Sequence, residues 1–67
     1  MKVRILKNVL VEIEKPNLGE VWDKQLCRWD ILRIESIDTA GKFAHLITYE
    51  GDIYLHVPQD SFEVLED

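Results

Sequence analysis

The side chains with chemical potential are few and scattered: Cys27, Ser36, Ser61 and the histidines His45 and His56. The two histidines belong to neighbouring strands of one hairpin. A turn at Glu50–Gly51 sets them directly across from each other. Imidazoles so placed can share a zinc ion. A structural site needs about four ligands, however, and a catalytic one about three. No spaced cluster of His, Cys or acids supplies the rest, so no metal and no cofactor are expected. Cys27 has no histidine beside it to act as a base, and Ser36 and Ser61 lie in no nucleophile motif. Gly19, Gly41 and Gly51 are isolated turn residues and form no phosphate-cradling loop. A chain of 67 residues also has little room for a sequestered pocket. The expectation is a protein that is not an enzyme.

The elements that carry these residues read as strands. Val3, Ile5, Val9, Val11 and Ile13 share one parity, so residues 3–13 read as a half-buried strand, with Asn8 marking a bulge or bend. "PNLG" at 16–19 is a turn. Residues 20–30 have weak periodicity and read as a long loop, with a single helix as the alternative. Strands follow at 31–37, 43–49 and 53–57. The turn "DTAGK" separates the first two, and "EGD" closes the hairpin. Pro58 lacks an N–H and ends the ladder. "PQDS" reads as a 3₁₀ turn and "FEVLE" as a short last strand. In the hairpin, Ala44, Leu46, Thr48, Ile53, Leu55 and Val57 are assigned to the core. His45, Ile47, Tyr49, Tyr54 and His56 take the other face.

Charge and cysteine usage narrow the function classes. The net charge is −5. Residues 1–33 hold seven Lys or Arg against five acids, whereas residues 34–67 hold Lys42 against eight acids. The acidic half disfavours a phosphate backbone and favours the basic face of another protein. Cys27 stands alone, so no internal disulfide forms and a reducing, cytoplasmic setting is expected. No stretch approaches the ~20 apolar residues of a membrane span. "MKVRILKN" has no long apolar run and is not read as a signal peptide.

Two passages carry a family resemblance. "GDIYLHVPQDSFEVL" at 51–65 resembles the end of an SH3-type domain, where a strand runs into a proline, a 3₁₀ turn and a final strand. "RWDILRI" resembles the segment that follows the first long loop of that fold. The resemblance implies one domain over residues 1–67, an all-β SH3-like barrel of about five strands with a long first loop and a C-terminal 3₁₀ turn. In the signalling members it implies a groove for proline-rich peptides. This chain departs from that pattern: it lacks the paired aromatics near the start and the adjacent tryptophans, and Phe62 replaces the groove tyrosine.

The expected function is therefore a small non-enzymatic interaction domain, an accessory or regulatory subunit that binds another protein or a second copy of itself. Its candidate surface is Trp22, Ile47, Tyr49, Tyr54 and His56, with Glu50 and Asp52 at the rim. The alternative is a nucleic-acid-binding barrel using Lys2, Arg4, Lys7, Arg28 and Arg33. A further alternative is a phage- or plasmid-encoded inhibitor of a host protein.

Overall fold

The computed structural model describes residues 1–65. Glu66, placed in the last strand by its sequence, lies outside them. Seven strands form: β1 (Lys2–Ile5), β2 (Val9–Lys15), β3 (Glu20–Leu26), β4 (Ile31–Ala40), β5 (Phe43–Thr48), β6 (Ile53–Pro58) and β7 (Phe62–Leu65). A 3₁₀ turn, Gln59–Ser61, separates the last two. The strands make one antiparallel sheet in the order β3-β2-β6-β5-β4-β1-β7.

This order corrects the expected architecture. The sheet is open, with β3 at one edge and β7 at the other, and it is not an SH3-like barrel of five strands. Two local events add strands. Residues 3–13 do not run through: β1 ends at Ile5 and β2 starts at Val9. Asn8 turns away, and its Oδ1 accepts the Arg28 N–H at 2.8 Å. Residues 20–26, expected as loop or helix, pair with β2 along their whole length, from Glu20 opposite Lys15 to Leu26 opposite Val9.

β4 is the strand that joins the two parts of the sheet. Its first residues pair with β1, as in Val3 opposite Leu32. Its later residues pair with β5, and the register shifts between Ile34 and Ser36. A bulge of this kind bends a strand and increases its twist. One apolar cluster results, with Val3 and Ile5 of β1, Val11, Leu26, Ile34, Ala44, Leu46 and Val57. Full burial of each large aliphatic side chain stabilises the fold by roughly 1.5–3 kcal/mol relative to exposure.

The last connection is held by polar groups that find partners. Gln59 donates from Nε2 to the carbonyls of Gly41 at 2.7 Å and Phe43 at 3.1 Å, which ties the 3₁₀ turn to the β4–β5 turn. Buried Ser61 donates to the Pro58 carbonyl at 2.6 Å, and its own carbonyl accepts the Leu6 N–H. Burial of the serine therefore leaves no unmet bond to offset the apolar gain.

Candidate functional site

The β5–β6 hairpin decides which side chains face outward, and it does so by two compensating irregularities. Its turn is Tyr49–Glu50–Gly51, closed by the Thr48 N–H donating to the Asp52 carbonyl at 2.9 Å. Gly51 takes φ 92°, a left-handed conformation that glycine adopts without a side-chain clash. This turn has an odd number of residues, one more than the Glu50–Gly51 turn expected. Ile53 therefore pairs with Ile47, not Thr48, and Tyr54 pairs with Leu46. A bulge then shifts the register back, so that Ala44 pairs with Val57 as expected. His56 sits at that bulge with φ 51°, and its N–H donates to His45 Nδ1 at 3.3 Å.

Side chains alternate across a sheet, so a one-residue shift exchanges the faces between the turn and the bulge. Tyr54 moves to the core side and packs against the apolar cluster. Burial, followed by the negative charge of Asp52, pushes its phenol pKa above the usual value. Ile53 and Leu55, expected in the core, face outward opposite Glu14 and Glu12. Ile47, His45 and Phe43 share this outer face, since each alternates with a buried neighbour on β5. The His56 ring lies 5.0 Å from that of His45 and 6.2 Å from that of Phe43.

The structure therefore divides the five residues singled out by sequence. Ile47 and His56 share the outer face, Ile47 opposite Ile53 and the His56 ring beside those of His45 and Phe43. Tyr54 is on the opposite face. Trp22 lies on edge strand β3 opposite core residue Ile13, with Lys15 Nζ 4.8 Å from its ring and its Nε1 donating to Glu20 at 2.6 Å. Tyr49 lies at the hairpin turn, where its hydroxyl accepts the N-terminal amine at 3.3 Å. It borders a shallow cleft with Met1, Lys2 and Arg33.

What gathers on the outer face is an apolar strip with an acidic border. Ile47, Ile53 and Leu55 form its centre, Leu10 (65% exposed) and Val21 (53% exposed) lie towards β3, and Phe43 lies towards the far end of β5. Glu12 and Asp23 are direct cross-strand partners, Glu14 follows on the same face of β2, and Asp38 stands on β4 opposite His45, at the other side of the strip. A cleft runs between Leu10, Glu12, Asp23, Leu55 and His56. Sequence reading missed Leu10, Val21, Ile53 and Leu55. Only Leu10 gave a signal, as an apolar residue of the wrong parity in β2.

A second surface lies on the outer face of the β1–β4–β7 part. Lys2 stands opposite Arg33, and Arg4 is beside them with an ion pair to Glu63 at 3.1 Å. Arg28 stacks at 4.6 Å on the ring of Trp29, which is exposed and held at φ 75°. Lys7 is diverted to Asp60 at 3.1 Å. Cys27 is exposed. Among the described residues, no group of three His, Cys, Asp or Glu side chains is arranged to hold a metal ion, and no helix is long and apolar enough to cross a membrane. Compared with known proteins, the chain matches no family model, no curated protein and no solved structure.

Proposed function

We propose that the chain is a non-enzymatic protein-interaction module that docks a partner on the outer face of β2, β5 and β6, as an accessory or regulatory subunit. The observation that carries this reading is the apolar strip Ile47–Ile53–Leu55 on a face that is not the core. The cross-strand pair Ile47–Ile53 stabilises the sheet by itself, and the continuation of the strip to exposed Leu10 and Val21 is what a docking face adds. The border specifies the partner. Glu12 and Asp23 face each other with no ion pair among the described residues, an arrangement that costs stability in the free protein. A partner with an apolar patch edged by Lys or Arg relieves that repulsion and gains orientation from it. The single exposed thiol, Cys27, fits a reducing cytoplasmic setting.

The test is affinity capture from cells that carry the gene, comparing the native chain with Leu55→Glu. Leu55 is only partly buried, so the variant is expected to fold, with an unchanged far-UV spectrum. A partner that is held by the native chain and lost by Leu55→Glu supports the reading. Equal capture by both chains contradicts it.

The basic surface favours a second reading, a single-stranded nucleic acid held by Lys2, Arg4, Arg28 and Arg33 with a base on Trp29. Binding of an oligonucleotide that weakens steeply with salt, and that Arg33→Glu abolishes, would establish it. Absence of binding at low salt would remove it.

A further inference from the structure

The edge strand β3 is a seven-residue hydrogen-bonding edge. Among the described residues it is bonded on one side only, to β2. Glu20 to Gln25 are all exposed, and the strand carries neither proline nor bulge. Edge strands are usually blunted by such devices, because their free N–H and C=O groups template further pairing. Charged side chains are a further such device, and on β3 they are set in an order that a second copy can match. Glu20, Trp22 and Lys24 alternate on the core side of the strand, and Val21, Asp23 and Gln25 on the outer side.

We propose that β3 pairs antiparallel with β3 of a second copy about a two-fold axis through Trp22, extending the sheet across both molecules. A two-fold contact must be self-complementary, with the same residues meeting in both directions. An axis at Trp22 places Glu20 of each copy opposite Lys24 of the other, Trp22 opposite Trp22, and Val21 opposite Asp23. Opposite charges therefore meet twice, and two half-exposed indoles meet at the centre. An axis at Asp23 would set carboxylate against carboxylate, and one at Lys24 would set ammonium against ammonium. An axis at Val21 would engage only Glu20, Val21 and Trp22 of the strand. Charge and the length of the paired segment together select one register of the second copy. Lys15, already over the Trp22 ring, stays beside the paired indoles. The contact takes up Val21 and Asp23 at the β3 margin of the outer face and leaves Ile47, Ile53 and Leu55, the centre of the docking strip proposed above, open.

Light scattering across a concentration series tests the proposal, using Glu20→Lys, Lys24→Glu and the double exchange. All these positions are exposed, and thermal unfolding checks that each variant folds. The native chain is expected to dimerise. Each single exchange places two like-charge pairs across the contact and should weaken dimerisation by about tenfold or more. The double exchange should restore it. An equimolar mixture of the two single variants should form a mixed dimer, because each supplies the charge the other lacks. A native chain that stays monomeric throughout, or single variants that dimerise as well as the native chain, would overturn the proposal. So would a double exchange that fails to rescue.

Discussion

The two outer surfaces of this sheet are built alike and loaded oppositely. On the β2–β3 side Glu12 faces Asp23, and on the β1–β4 side Lys2 faces Arg33. Both are like-charge cross-strand pairs, and none of the four residues has an ion pair among the described residues. They differ in what lies between the charges. The acidic pair borders Leu10, Leu55, Ile53 and Ile47, whereas the basic pair borders the polar cleft at Met1 and Tyr49. Apolar area gives affinity that persists in salt, and exposed charge alone gives steering that salt removes. The acidic side therefore has what a protein contact needs, and the basic side has what a polyanion contact needs.

The largest expected effect strikes both surfaces at once, because one core supports them. Leu46→Ala removes a fully buried side chain from the centre of the cluster and should cost about 2–5 kcal/mol in chemical denaturation. A cost well under 1 kcal/mol would mean that the two parts of the sheet do not share that core. The next effect separates the surfaces. Asp23→Lys and Arg33→Glu each turn a repulsive cross-strand pair into an attractive one, and each should raise stability by roughly 0.2–1 kcal/mol. Only Asp23→Lys should impair protein capture, and only Arg33→Glu should impair oligonucleotide binding. If both variants lose the same ligand, the division between the surfaces fails.

The smallest effect at neutral pH concerns Tyr54, on the core side. Its folded pKa is raised above the usual tyrosine value, chiefly by burial. The neutral phenol is therefore favoured in the folded state. Its contribution is full below the unfolded pKa and is lost as pH rises through the folded pKa. Stability of the native chain should fall above about pH 10, and the fall attributable to Tyr54 should be absent in Tyr54→Phe. An identical alkaline profile for both chains would place Tyr54 outward.

The hairpin shows how far the sequence was legible. Strands β5 and β6 and the 3₁₀ turn were readable, because alternation, proline and glycine act locally, although β6 runs one residue further than expected, with Pro58 paired to Phe43. The faces near the turn were not. A turn longer by one residue and a bulge at His56 cancel over the hairpin, so Val57 lands as expected while Tyr54 and Leu55 exchange sides. β3 was hidden for another reason. An edge strand exposed on both faces has no apolar alternation to show, and Glu20 to Gln25 have none. The open sheet was hidden because local patterns define strands and turns, whereas closure depends on whether β3 and β7, distant in the chain, meet. They lie at opposite ends of the strand order.

The most direct test of the docking surface is amide hydrogen exchange on the chain with its captured protein partner bound, compared with the free chain. Docking on the acidic-bordered face should add protection at 45–47 and 53–55, the outward strand segments that carry Ile47, Ile53 and Leu55. Protection confined to 2–4 and 31–33, with 45–47 and 53–55 exchanging as in the free chain, would contradict the account.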